Sequence, residues 1–260
     1  MDNGIFISAV IKAKNEEKNI AECLHSLDGV ADELIVVNDA SSDATKKIAH
    51  ELGAIVIDEK SHNGLINVLD KIGFESARGD WLLRLDADER MTPTLAQKLR
   101  AAAADGRWTG VRFARKNFMF GSDVKHGGWF RADQLRFFRR DCWDKSWTAA
   151  PHTQPFVSGS ILTLPPEDKF ATVHYDYDSV EQFIHRTLLN YAKAEAVAMR
   201  KEGRRFSVWR LLYRPPKVFF GRLLIRSGWR DGMRGVVLAG LLACYAFLIE
   251  AILWDLERTE

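Results

Sequence analysis

Four short apolar runs, at residues 5–11, 33–38, 54–57 and 81–86, alternate with segments whose apolar residues recur at helical spacing. That alternation is the strongest constraint on the fold. Parallel strands need long crossovers, so the first hundred residues predict a mostly parallel sheet with helices on both faces. The helices are expected around 16–27, with Ile20, Cys23, Leu24 and Leu27 on one face, then around 42–53, 65–77 and 92–104. Ser42 is the expected N-cap of the second, Gly53 its stop, and Thr92 and Pro93 start the last. In open sheets of this type, ligands bind beyond the carboxyl ends of the strands.

Two of those ends are acidic. The run "WLLRLDADERMTP" (81–93) finishes on Asp86 and Asp88, one residue apart, and "VVNDASSD" (36–43) finishes on Asn38 and Asp39. Carboxylates two residues apart on an extended chain point to the same side, an arrangement that suits Mg²⁺ or Mn²⁺ together with substrate phosphates. Acids beyond the second strand suit the N–H of a base or the hydroxyls of a ribose. Both clusters also suit plain helix capping. Their conjunction on one sheet edge favours a site.

After residue 110 the pattern changes to short, aromatic-rich runs, "GVRFARKNFMFG", "QLRFFRR" and "VSGSILTL", which predict antiparallel or mixed strands extending the sheet. Beyond His174 the chain turns helical, and residues 235–254 are apolar nearly all round. Net charge is only +2, yet residues 200–234 hold eleven Lys or Arg against Glu202 and Asp231. Such a local excess implies an anionic surface or a polyanion as partner. Cys23, Cys142 and Cys244 are too few and too scattered for a disulfide framework or a zinc knuckle, and a reducing cytosol fits. The N-terminal apolar stretch has no basic region before it and reads as a strand, not a leader.

In order and spacing, "ISAVIKAKNEEKNIAECLHSL", "ELIVVNDASSDAT" and "ARGDWLLRLDADERMTP" resemble the family-2 inverting glycosyltransferases of the GT-A fold. The later "HGGWFRADQLRFFRR" and "HYDY" are similar to the bacterial branch that includes lipopolysaccharide-core glucosyltransferases. The resemblance implies a GT-A, Rossmann-like, mixed but mostly parallel α/β sheet over 1–178, with a donor half to about 105 and an acceptor half from 106. A helical extension, basic and then apolar, follows over 179–260. It implies that Ala13 and Asn15 lie beside the nucleotide, that Asp39 contacts the uracil, that Asp86 meets the ribose or metal, and that Asp88 holds the Mg²⁺ or Mn²⁺ bridging the phosphates. Lys71 stands on the phosphate side, although the branch has Lys-Asn where this chain has Asp70 and Lys71. The branch has Asp-Ser-Gly-Ser-Thr-Asp where this chain has "NDASSD", which is closer to the wider family's Asp-Asp-Gly-Ser, and this chain has His152-Thr153 where a His-Glu pair is expected.

Inversion needs a base for the acceptor hydroxyl. Asp133, behind a Gly-rich loop with Trp129, is the leading candidate, and Glu89 and His152 are held in reserve. His126 and His174 have the chemistry of ligands but equally that of ordinary hydrogen-bonded residues. Trp129 and Trp147 suit either a sugar face or core packing. The expected reaction moves a hexose, glucose from UDP-glucose by resemblance, to a lipopolysaccharide-core or other lipid-linked glycan. A sugar nucleotidyltransferase would carry a Gly-rich phosphate loop after the first strand, and "KAKNEEKN" has no glycine. A nucleic-acid module using the basic segment is disfavoured by the apolar element beside it, and a catalytically dead membrane scaffold differs in losing cation-dependent donor hydrolysis. Only fifteen uncharged residues precede Glu250, short of the roughly 20 that span a bilayer. Arg222, Arg226, Arg230 and Arg234, four apart, would align on a helix. The expectation is peripheral attachment to the anionic cytoplasmic face of the inner membrane, or a homodimer through the same segment.

Overall fold

Period-two alternation sorts the side chains of the central strands onto two faces of one sheet. The computed structural model describes residues 4–60, 67–130, 134–147 and 154–259. Its first elements are β1 (Ile7–Ala13), α1 (Ile20–His25), β2 (Glu33–Asp39), α2 (Thr45–Glu51), β3 (Ile55–Glu59), α3 (Asn67–Ser76) and β4 (Trp81–Asp86). The strands β3, β2, β1 and β4 lie side by side and parallel. Ile7, Ala9 and Ile11 of β1 and Leu83 and Leu85 of β4 pack with α1 on one face. Val10, Leu82 and the α3 residues Leu69 and Phe74 pack on the other.

The next elements are β5 (Glu89–Arg90), α4 (Pro93–Asp105), β6 (Gly110–Met119), β7 (Ser122–Val124), β8 (Gln134–Arg139), β9 (Ile161–Thr163) and β10 (Ala171–Tyr177). Helix α4 joins the face covered by α1 through Leu95 and Leu99. The strand order is β3-β2-β1-β4-β8-β6-β10-β5, with β7 and β9 also on β6. Strand β8 is antiparallel to β4 and to β6, so the predicted mixed, mostly parallel α/β sheet with helices on both faces is what the chain forms. Trp147 lies in the α3-side core near Phe74 and packs there, as the blander of its two readings has it.

The chain divides into two compact units, one of residues 1–115 with 131–174 and one of 116–130 with 175–260. The expected division at 178 falls between His174 and Tyr175 instead, and residues 116–130 go with the helical part. Bonds inside the second unit account for this. Gly127 N–H donates to the Arg226 carbonyl at 2.8 Å, and both oxygens of Asp231 hold His126, one its backbone N–H at 2.8 Å and one its Nδ1 at 2.7 Å. His126 is therefore a structural tie.

The second unit is helical: α5 (Val180–Phe183), a π-helical run Ile184–Tyr191, α6 (Ala192–Lys201), α7 (Val208–Phe220), a π-helical turn Gly221–Ile225, a 3₁₀ turn Gly228–Asp231 and α8 (Gly232–Arg258). The helix is broken at Ser227, with φ +56°, and at Gly232, with φ +64°. Arg222, Arg226, Arg230 and Arg234 therefore do not form the single stripe that their spacing suggests. The stretch Gly228–Arg258 is long and apolar enough to cross a membrane by length and composition, more than the fifteen-residue count allows.

Candidate active site

Charged residues inside apolar strands build the site. Lys12 sits on β1 two residues after Val10, and Arg84 on β4 two residues after Leu82, so both face the side covered by α3. The parallel register places Val10 against Arg84 and Lys12 against Asp86. Two cations and a carboxylate thus line one groove, and α3 contributes the fully buried Asp70. Arg84 Nε lies 3.1 Å from Asp70 Oδ2, and Lys12 Nζ lies 3.4 Å from Asp70 and 2.7 Å from Asp86 Oδ1.

Asp86 is the hub. Arg115 Nη1 stands 3.6 Å and Arg136 Nη2 3.9 Å from its other oxygen. Burial alone would raise its carboxyl, but Lys12, Arg136, Arg84 and Arg115 outweigh that and hold it well below the usual carboxylate range. It remains an anion wrapped by cations, a different setting from that of Asp88.

Asp88 is buried and faces the buried His174, whose Nε2 is 3.3 Å from Oδ2. The pairing of β5 with β10 creates that contact, because His174 is opposite Glu89 and Val173 opposite Arg90. Glu89 is itself fully buried. Arg136 forms a short ion pair with it, Arg115 Nη1 lies 3.5 Å away, and the Asp86 N–H donates to it at 3.4 Å. A general base needs a lone pair open to the acceptor, so this enclosure supports a strut's part for Glu89 more than the reserve role of base.

The end of β2 forms a second wall. Asp39 is buried, with Lys14 Nζ at 3.1 Å, and Asn38 Nδ2 donates to Asp58 at 2.9 Å. Ala13 ends β1 opposite Asn38. Asn15, at φ +55°, receives the Ser42 N–H on Oδ1 at 2.9 Å and donates its own N–H to Ser41 Oγ at 3.0 Å. Ala40 also adopts a left-handed conformation, φ +47°, and its N–H donates to the Asn38 carbonyl. The α2 start is capped by Asp43, whose Oδ1 accepts the Thr45 N–H at 3.0 Å, because Ser42 is turned towards Asn15.

Ala13, Asn15, Asp39, Asp86 and Asp88 therefore all lie at the carboxyl edge of adjoining strands. Lys71 lies on α3. Its Nζ is 3.9 Å from Glu75 one helical turn on, and its neighbour Asp70 is the α3 residue that enters the groove. Asp133 and His152 lie outside the described residues. Strand β8, whose first residue is Gln134, runs antiparallel to β4 and so enters the sheet at this same edge. Sequence reasoning passed over Lys12, Arg84, Arg115 and Arg136. The first two were detectable as charges on the inward phase of buried strands.

No group of three or more His, Cys, Asp or Glu is gathered as a metal site among the described residues. Asp88 and His174 supply one oxygen and one nitrogen donor side by side. That pair fits a divalent cation only where the substrate completes the coordination, as diphosphate oxygens do.

The sequence model of glycosyl transferase family 2 matches residues 8–158. An uncharacterized glycosyltransferase of Rickettsia typhi is 28% identical, covering 96% of this chain and 87% of its own length. The lipopolysaccharide core biosynthesis glycosyltransferase LpsC of Rhizobium meliloti is 25% identical, covering 96% and 92%. Among solved structures, a 1–349 form of Staphylococcus aureus TarS aligns at a TM-score of 0.45 with 17% identity, over 98% of this chain and 92% of that one. Glucosyl-3-phosphoglycerate synthase of Mycobacterium tuberculosis, crystallised with Mn²⁺ and UDP-glucose, aligns at 0.40 with 20% identity over 54% and 57%.

Proposed function

The chain belongs to glycosyl transferase family 2, and we propose that it transfers a hexose, glucose from UDP-glucose, with inversion onto a lipid-linked glycan of the lipopolysaccharide-core type. The observation that carries the donor side is the meeting of Asp88 and His174 beside the Asp86 cluster, on the edge that also holds Asp39. A Mn²⁺ or Mg²⁺ held by Asp88 and His174 would neutralise charge on the leaving diphosphate. The residues of the chain do the rest. Asp39 accepts from the uracil N–H. Lys12, Arg115 and Arg136 keep Asp86 ionised and fixed, ready to accept from the ribose hydroxyls.

In the transfer step the acceptor hydroxyl oxygen bonds to the anomeric carbon from the face opposite the diphosphate, the carbon–oxygen bond to the nucleotide breaks, and UDP leaves. The hydroxyl proton passes to the general base. We assign that base to Asp133, next to the first residue of β8, which enters the sheet at the donor edge. The lipopolysaccharide-core acceptor rests on the likeness to LpsC.

The test is a thermal-shift screen of nucleotide sugars with and without Mn²⁺, followed by transfer assays. UDP-glucose should raise the melting temperature, more so with Mn²⁺, and Asp88→Asn should remove the metal-dependent part. Stabilisation by a purine-nucleotide sugar alone would overturn the donor assignment, and full activity of Asp133→Asn would overturn the base.

A further inference from the structure

One helix of the second unit is turned inside out. Arg210 and Arg214 of α7 point at α8, where the carboxylate of Glu250 is completely buried. Arg210 Nε is 3.2 Å, Arg214 Nη1 3.1 Å and Arg204 Nη2 2.8 Å from Glu250 Oε1. The apolar residues of α7 face outward instead. Trp209 is 79% exposed, Leu212 63%, Tyr213 48% and Phe220 54%, and Leu224 and Ile225 prolong the row at 56% and 85%. Residues 209, 213, 216, 220 and 224 recur at three- and four-residue spacing, and none of the thirteen residues of α7 is buried. A helix bathed in water carries the reverse pattern, and an exposed apolar row of this length marks a contact surface.

Charge beside the row tells what covers it. A cleft of about 560 Å³ opens between α7 and α8, lined on its basic side by Arg214, Lys217, Arg222 and Arg226. Neither Lys217 nor Arg226 makes an ion pair with another described residue, and Glu195, the one acid lining the cleft among the described residues, is bound by the Tyr245 hydroxyl. Residues 200–234 carry eleven cations against two acids. A second copy seated symmetrically on this face would set like charge against like. An anionic lipid surface complements both the apolar row and the unpaired cations.

We infer that α7 lies in the headgroup layer of an anionic bilayer, with Trp209, Leu212 and Phe220 among the acyl chains and Lys217 and Arg226 on lipid phosphates. The depth follows from the prolines. Pro215 and Pro216 have no N–H for the carbonyls of Leu211 and Leu212, which the headgroup layer can hydrate and the hydrocarbon core cannot. The Glu250 cluster argues the same way, because a spanning α8 would carry four charged groups into the bilayer with it. This placement differs from attachment through residues 235–254, and it holds or fails independently of the sugar-transfer reading.

Flotation of the full chain with phosphatidylglycerol and with phosphatidylcholine vesicles tests it. The chain should float with the first, weakly with the second, and less as salt rises. Trp209→Ser/Leu212→Ser/Phe220→Ser should weaken partitioning at least ten-fold. Lys217→Gln/Arg226→Gln should weaken it roughly twenty-five-fold, at about five-fold per cation, on phosphatidylglycerol only. Trp209 emission should shift to the blue with vesicles, a change absent from Trp209→Phe. Donor hydrolysis should stay normal in the variants, since none of these side chains belongs to the Asp86 cluster. Wild-type protein left at the bottom of the gradient overturns the inference, as does either multiple variant floating like wild type. A wild-type dimer that the triple serine variant splits, with no lipid binding by either, would assign the face to a second copy.

Discussion

Replacing Glu89 by glutamine separates a strut from a proton acceptor. The carboxylate is fully buried, paired to an Arg136 that is itself only 1% exposed, with Arg115 on its far side. Removing one partner of a buried pair costs about 3–5 kcal/mol, chiefly because the other charge is stranded. Here the loss is smaller. Gln134 Oε1 accepts from Arg136 at 2.9 Å and 2.6 Å, Asp86 stands 3.9 Å away, and the new amide oxygen keeps one hydrogen bond worth about 1 kcal/mol. The expected cost is about 2–3 kcal/mol, or roughly 5–10 °C of melting temperature for a chain of this size. Urea unfolding and a thermal scan read it. Adding Arg136→Met should recover about 1–2 kcal/mol, because the stranded charge goes with it. Unchanged stability with a hundred-fold loss of transfer and a displaced acidic limb of the pH–rate profile would refute the reasoning and restore Glu89 as the base.

Other outcomes follow from the same edge and from the opposite one. Asp39→Ala should raise KM for the nucleotide sugar about ten-fold with kcat little changed, and an unaltered KM would remove Asp39 from the donor site. Acid should destabilise the protein through Glu33. Burial raises its carboxyl, but the Arg78 N–H, the Ser8 hydroxyl and the Arg78 guanidinium lower it further, so its contribution is complete above its ordinary value of 4.5 and is lost as pH falls through the lower folded value. Melting temperature against pH should therefore drop more steeply below pH 4.5 in wild type than in Glu33→Gln. Gly79→Ala would bring a methyl to 2.5 Å from the Ser8 backbone nitrogen and 2.9 Å from the Phe6 carbonyl oxygen, and should cost about 2 kcal/mol or more in urea unfolding.

Legibility in the sequence tracked the range of the interactions. Strand β4 starts and ends where its apolar run does, and α4 starts at the predicted proline, because both signals are local. Strand β1 begins at Ile7, two residues later than its apolar run, since pairing to β4 begins there and pairing to β2 at Ser8. The acidic strand ends were visible for the same local reason, and the sheet brings them to one edge. His174 was not. It reaches Asp88 through a two-residue strand paired across more than eighty positions, and no period in the chain announces such a pairing. The cations around Asp86 arrive from β1, β6 and β8, so their convergence depends on register that composition does not encode. The basic C-terminal stretch was legible as a charge excess but not as a shape, because the turn at Ser227 interrupts the four-residue rhythm.

Ala40 sets the range over which this lineage can drift. At φ +47° a side chain costs roughly 1 kcal/mol of steric strain, which glycine would release while giving back a similar amount in unfolded-chain entropy. Exchange between alanine and glycine at this position is therefore close to neutral, asparagine and aspartate are tolerable, and β-branched residues would be purged. Restricted variation at position 40 among descendants would then record the dihedral angle of a turn, with no contact to nucleotide or sugar required to explain it.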